Sequence, residues 1–168
     1  MGYSEDQDRD ISEGTTAARR AIALATNDAA AHVAMASIRS AGGETELAAQ
    51  HSKTAININP NHAGAWNKLG SAQLWLGKSE ESISALNMAL KLSPRDPGTG
   101  PIYTRLAEAF FQLGDYETAV DWGRKAIERP ETQFWGNCVL ISALSHMGDS
   151  DAAEQALGEL IQRKPEIN

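Results

Sequence analysis

Apolar residues recur at steps of three and four through "AWNKLGSAQLWLG" and "SEESISALNMALKL", and again through "YTRLAEAFFQLG" and "YETAVDWGRKAIE". That period belongs to amphipathic helices that bury one face. Each pair is divided by a glycine, at Gly77 or Gly114, which suits the left-handed residue that ends a helix. Residues just beyond these turns (Lys78 and Ser79, Asp115, and Asp149 and Ser150 after Gly148) include good N-caps for the following helix. A turn this short leaves antiparallel packing as the only arrangement of the two helices.

The hairpin recurs. Pro60 in "INPNH" and Pro94 in "LSPRD" are 34 residues apart, and four blocks follow that register: 29–62, 63–96, 100–133 and 134–167. Pro97, Gly98 and Thr99 are inserted between the second and third blocks. Glycine stands fifteenth in every block, at Gly43, Gly77, Gly114 and Gly148. Positions 8, 20 and 27 are small: Ala36, Ala48 and Ala55, then Gly70, Ser82 and Ala89, then Ala107, Ala119 and Ala126. Helices approach closely only where neither carries bulk at the crossing, so these positions mark interhelical contacts. The fourth block has Ile141, Ala153 and Leu160 there, which predicts a wider or rotated last pair. Pro60, Pro94 and Pro165 occupy position 32, between one helix and the next, whereas Pro130 comes a residue early and predicts a shorter preceding helix.

Upstream, "ISEGTTAARRAIALATNDA" reads as a second-type helix over 11–25 with Ala21 at position 27, and residues 1–10 read as a polar, acidic lead. A first-type partner for this helix is missing from the sequence, which suggests a chain cut from a longer protein; a natural cap helix is the alternative. The expected organisation is a lead over 1–10 and one all-α domain over 11–167.

The quoted residues Trp66, Leu69, Gly70, Gly77, Leu86, Ala89 and Pro94, and again Tyr103, Leu106, Ala107, Gly114, Tyr116, Ala119 and Ala126, resemble the signature of the tetratricopeptide repeat. His32 and Met35 in the first block, and Asn137, Leu140 and Ile141 in the fourth, follow it less closely. The resemblance implies a right-handed superhelix of antiparallel helical hairpins whose first helices line a concave, peptide-binding surface. At a finer level, the run from "GYSEDQDRD" to "AAAH" and the segment from "ALKLSPRDPGTGP" to "AAEQAL" are similar to the C-terminal repeat region of bacterial signalling proteins. In those proteins an adenylate or guanylate cyclase domain, or a winged-helix DNA-binding domain, precedes the repeats. This implies a cytoplasmic interaction module in signal transduction, with the protein's own upstream domain among its partners.

By the same resemblance, positions 2, 5, 6, 9, 12 and 13 of each first helix face the concave side. The candidate groove residues are Asn67, Lys68, Ser71 and Trp75 in block two, Arg105, Glu108, Phe111 and Gln112 in block three, and Trp135 and Ser142 in block four. Gly64, Leu74, Pro101, Thr104, Cys138, Val139, Ser145 and His146 complete the set. Asn67, Lys68 and Arg105 are expected to project into one channel. Aromatic area mixed with amide and cationic donors suits a peptide contact. Relatives that clamp a C-terminal carboxylate use a basic residue and Asn in the first repeat and a basic pair in the third. Val33, Ser37 and Pro101 stand at those places here, beside Arg105, so that clamp is mostly missing.

Composition narrows the partners. The 168 residues carry 22 acids and 15 bases, a net charge of −7, which argues against a nucleic-acid surface spread over the domain. The surplus lies at the ends, with six acids against three bases over 1–28 and six against two over 131–168. Mean hydropathy of −0.38 and the lack of a long apolar run make membrane association unexpected. Cys138, the single cysteine, excludes an internal disulfide and reads as a small packed residue. The histidines, at repeat positions 4, 23, 34 and 13, share no common face, and no metal-binding or phosphate-loop motif occurs. No enzymatic activity, cofactor or metal is therefore expected. The expected partner is a protein or peptide segment, bound by a monomer or weak homodimer; the competing reading is a structural or dimerisation domain with no specific groove ligand.

Overall fold

The computed structural model describes residues 2–163. Nine α-helices are present among them: α1 (Gly2–Leu24), α2 (Ala29–Ala41), α3 (Thr45–Ile58), α4 (Ala63–Trp75), α5 (Ser79–Leu92), α6 (Gly100–Gln112), α7 (Tyr116–Ile127), α8 (Gln133–His146) and α9 (Ser150–Arg163). Single 3-10 turns at Pro97–Thr99 and Pro130–Thr132 precede α6 and α8, and no strand occurs among the described residues. The pairs α2/α3, α4/α5, α6/α7 and α8/α9 coincide with the four blocks.

The same device closes every pair. Gly43, Gly77, Gly114 and Gly148 have φ of 75°, 71°, 79° and 80°, the region that a side chain disfavours. At each, the glycine N–H donates three residues back and the next N–H donates five residues back, as Gly77 does to the Leu74 carbonyl at 3.0 Å and Lys78 to Gln73 at 2.9 Å. This pattern, repeated at Gly43, Gly114 and Gly148, satisfies carbonyls that the end of a helix would otherwise leave bare. Asp115 and Asp149 then accept from Thr118 and Ala152 through their carboxylates, both at 3.2 Å. The α4/α5 turn differs from expectation, because Lys78 occupies the cap position without a side-chain bond and Ser79 is buried inside the first turn.

The chain divides into two compact units, Met1–Ser93 and Pro94–Asn168. Where the 34-residue register predicts one domain over 11–167, the division falls just ahead of the three inserted residues. In the first unit, Ala48, Ala49, Leu69, Ala72 and Ala85 form one buried cluster and Ala29, Ala55 and Ala65 another, with Met35 and Leu86 among the most buried large side chains. Close approach is tightest at Gly70. A Cβ there would lie 2.6 Å from Leu86 Cγ and 3.1 Å from the Ser82 carbonyl oxygen, while the Ser82 hydroxyl donates to the Gly70 carbonyl at 2.7 Å across the hairpin.

The helix upstream of the first block is longer than its apolar pattern predicts. It begins at Gly2 rather than Ile11, so the polar stretch read as a lead forms the first turns of α1. Solvated Asp, Gln, Ser and Arg are compatible with a helix when nothing breaks it. Its contact with α2 is made by Gly14, where a Cβ would stand 3.3 Å from Ile38 Cδ1, and by buried Ala18, while Ala21 is only half-buried.

In the second unit, Ala119, Val120, Leu140, Ala143, Leu144 and Ala153 make the core, with Phe110, Phe111, Tyr116 and Ile141 packed on it. Pro130 has the predicted effect: α7 has 12 residues where α3 and α5 have 14. Thr132 then stitches the junction by donating to the Ala126 carbonyl at 2.8 Å. Glycine also allows α7 and α8 to meet. A Cβ on Gly136 would be 2.9 Å from Ala126 Cβ, and one on Gly123 would be 3.2 Å from Leu140 Cβ. In α9, Leu160 is buried, Ile161 half-buried and Leu157 exposed; Pro165 lies outside the described residues.

Glycine substitutions separate close approach from helix propensity. Gly70→Leu and Ala119→Leu should each lose about 1–3 kcal/mol by overpacking, and Gly70→Ala should also destabilise despite its better propensity. Gly158→Ala, in α9 with nothing within 4 Å of the added Cβ, should instead gain roughly 0.5–1 kcal/mol. Chemical denaturation of the four variants checks this, and a loss under about 0.5 kcal/mol for both leucine variants would contradict the assigned crossings.

Candidate interaction surface

The candidate residues fall on first helices in both units. On α4, Asn67 and Lys68 are half-buried, and the Asn67 amide oxygen is buried without a hydrogen-bond partner. Trp75, two turns beyond Asn67 on the same stripe, is 72% exposed. Ser71 and Leu74 do not face outward as expected. Leu74 is packed in the core, and buried Ser71 turns its hydroxyl onto the Asn67 carbonyl of its own helix, at 2.8 Å. Gly64 is half-buried with Val33 of α2 close by.

On α6 of the second unit, Arg105 and Glu108 are half-buried one turn apart. Arg105 Nη1 donates to the Pro101 carbonyl at 2.9 Å, so the guanidinium is partly held by its own helix. Burial pushes the Glu108 carboxyl above the usual carboxylate range, with the Arg105 charge pulling it back, and burial likewise lowers the Arg105 pKa against the opposing pull of Glu108. Thr104 is buried rather than outward, with its hydroxyl 3.4 Å from the Gly100 carbonyl. Phe111 is half-buried, its ring 5.4 Å from Tyr116 and 5.0 Å from His146, while Gln112 is exposed.

On α8, Trp135 is 63% exposed and meets Phe134 edge-on at 5.1 Å. Ser142 is exposed, with its hydroxyl bonded to the Cys138 carbonyl at 2.8 Å. Burial raises the Cys138 thiol pKa, and a backbone hydrogen bond only partly offsets that, which disfavours the thiolate form. Asn67 and Lys68 therefore belong to one compact unit, and Arg105, Glu108, Phe111, Gln112, Trp135 and Ser142 to the other.

Three features escaped the sequence reading. His32 and His51, at positions 4 and 23, do share a site: they stand opposite each other about the α2/α3 turn, with their Nδ1 atoms 3.1 Å apart. Positions 4 and 23 lie about ten residues to either side of the hairpin turn, and comparing the two helices across that turn could have found the pair. Burial is the main cause that lowers the His51 pKa, followed by His32 and Arg39, the charged or titratable groups that bear on it. Secondly, Tyr103 and Trp122 pack 5.6 Å apart, with Lys125 Nζ 4.0 Å from the indole centroid. Thirdly, α1 and α2 enclose a groove between Asp6, Asp10 and Ile11 on one side and Ser37, Ile38 and Ala41 on the other. Among the described residues no trio of His, Cys, Asp and Glu could hold a metal ion, and no helix is long and apolar enough to cross a membrane.

Antiparallel helix pairs, each closed by a left-handed glycine and, in the first three, with small residues at the crossings, define an all-α helical-repeat fold. The comparisons agree. Residues 61–132 match the tetratricopeptide repeat family model. A curated relative, small glutamine-rich tetratricopeptide repeat-containing protein 2 of Mycosarcoma maydis, is 32% identical over 74 residues, which are 44% of this chain and 20% of that protein. The match thus spans about a fifth of the relative's length. Among solved structures, MamA superposes with a TM-score of 0.80 at 17% identity, covering 99% of this chain and 95% of MamA. YrrB, described as a TPR protein with an unusual peptide-binding site, gives 0.74 at 19% identity over 89% of this chain and 75% of its own. At such identities the likeness is one of fold.

The two displaced titrations carry opposite signs. Glu108 has a raised folded pKa, so its contribution is fully present below the unfolded value and is lost as pH rises through the folded one. Glu108→Gln should therefore gain stability relative to the parent at pH 7 and show little difference at pH 4. His51 has a lowered folded pKa, so its contribution is present above the unfolded value and is lost as pH falls through the folded one. His51→Gln should flatten the loss of stability between pH 7.5 and pH 5. Urea denaturation between pH 4 and pH 7.5 checks both slopes.

Proposed function

We propose that this chain is a non-catalytic protein–protein interaction or intramolecular regulatory module. Its contact surfaces are the Asn67–Lys68–Trp75 stripe of α4 in the first unit and, in the second, the face of α6 and α8 that carries Arg105, Glu108, Phe111, Gln112, Trp135 and Ser142. The observation that carries this reading is the exposure of Trp75 and Trp135. A Trp presents 150–250 Å² of largely apolar area that water covers poorly, and such residues dominate binding energy when a partner buries them. Each indole lies on the first helix of its repeat. The unpartnered amide oxygen of Asn67 supports the same surface, since a peptide backbone N–H would satisfy it. The peptide-binding site ascribed to YrrB supports this use of the fold.

In the narrower form of the proposal, this is the regulatory region of a larger bacterial signalling protein, cytoplasmic, acting on an upstream cyclase or winged-helix domain. The resemblance of the inserted "SPRDPGTGP" segment and of the early Pro130 supports this form.

Panning a displayed library of 15-residue peptides on the chain tests the proposal. Enriched peptides should lose at least tenfold in affinity on Trp75→Ala, on Trp135→Ala or on the Lys68→Ala/Arg105→Ala double variant, measured by calorimetry on variants whose circular dichroism is unchanged. Dissociation constants that stay the same on all three would move the contact off these helices.

A further inference from the structure

None of the residues of the α4 stripe and neither exposed indole lines the α1/α2 groove. Its volume is about 850 Å³, room for several side chains of a partner. It exists for a local reason. Gly14 allows α1 to sit on Ile38, and Ala18 is buried one turn further along. Toward the N terminus, Ile11 continues that stripe, but α2 meets it only with Ser37, Ile38 and Ala41, of which two are small. The space between is left unfilled. Ile11, Ile38 and Ala41 give it an apolar floor, and the Ser37 hydroxyl is already committed to the Val33 carbonyl at 3.0 Å.

The wall is acidic. Asp6 and Asp10 stand one turn apart on α1, and residues 2–13 carry five acids against one base. That base, Arg9, lies 3.2 Å from Asp6 and 3.9 Å from Asp10, so one guanidinium is shared between two carboxylates and a negative charge is left over. All three side chains are more than half exposed. Exposed pairs of this kind are weak, and an incoming cation can displace them.

We propose that this groove is a docking site for a protein segment that places Leu, Ile, Met or Phe side chains beside Lys or Arg. The apolar side chains fill the hollow over Ile11, Ile38 and Ala41, and the cations pair with Asp6 and Asp10. Charge complementarity selects this occupant. Acidic peptides, nucleic acid and anionic membranes would all meet the carboxylate wall with like charge.

The test uses the full chain carrying Trp75→Ala and Trp135→Ala, so that loss of the indole surfaces proposed above leaves this site intact and failure of one reading is distinguishable from failure of the other. A displayed 16-residue library is panned on it. Enriched peptides should combine apolar residues with at least two Lys or Arg. Their affinity should fall at least tenfold between 50 and 300 mM NaCl, fall similarly on Asp6→Asn/Asp10→Asn, and be lost on Ser37→Arg, which fills the hollow from an exposed edge and adds a repelling charge. Amide resonances of Ile11, Ile38 and Ala41 should shift on titration in the chain that keeps Ser37. No enrichment, enrichment of acidic peptides, or affinity indifferent to both sets of substitutions would overturn the proposal. So would a concentration-dependent dimer abolished by Ser37→Arg, which would give the groove to a second copy of the chain.

Discussion

Everything in this structure depends on how closely two helices can approach across a three-residue turn. The left-handed glycine at position 15 reverses the chain without spare length, so the partner helix must return along the first at once. Whether it can do so depends on the crossings. At Gly70 even a methyl group would overlap Leu86, and the carbonyl left bare by that glycine accepts from Ser82 at 2.7 Å. Close packing thus brings with it a buried hydrogen bond that a larger residue at position 8 would break. Equivalent contacts built on alanine recur in the α2/α3 and α6/α7 pairs, where Ala36, Ala55, Ala107, Ala119 and Ala126 are fully buried.

This constraint explains what was legible in the sequence. Glycines spaced at one register, small residues at three fixed positions and a proline near the end of each block are requirements of the backbone, so they recur and can be read. The four hairpins and the short α7 follow from them. Less legible was whatever depends on one side chain's choice. Nothing in the apolar pattern shows that Ser71 and Thr104 bend their hydroxyls onto their own helices, and that is why both were expected outward and are buried. The extent of α1 was missed because its first turns carry no apolar stripe, although nothing in them opposes a helix. The His32/His51 pair was missed because positions were compared along one helix face and not across the turn.

Charge behaves differently in the two units. In the first, Arg39 finds Glu44 at 2.8 Å beside its own turn and so completes the close of α2. In the second, Arg105 and Glu108 are half-buried a turn apart, and desolvation is the leading cause of both displaced pKa values, ahead of their mutual attraction. Two opposite charges whose burial outweighs their mutual attraction are poor evidence for stability.

The positions left free by packing are fewer than the repeat register allows. Of the six nominally outward places on each first helix, position 13 is exposed in all four: Ala41, Trp75, Gln112 and His146. Positions 9 and 12 return to the core in α4 as Ser71 and Leu74, are half-buried in α6, and are both open to solvent in α8 as Ser142 and Ser145, while α2 has Ser37 half-buried and Ser40 exposed. The fold therefore dictates where variation is affordable, and the chain places an indole at one of those places, Trp75, and a second at the exposed start of α8. A scaffold that needed only to be soluble would put small or polar groups there, as it does at Ala41 and Gln112. The departure of these two positions from what packing and solubility require is the ground on which they are proposed as contact points.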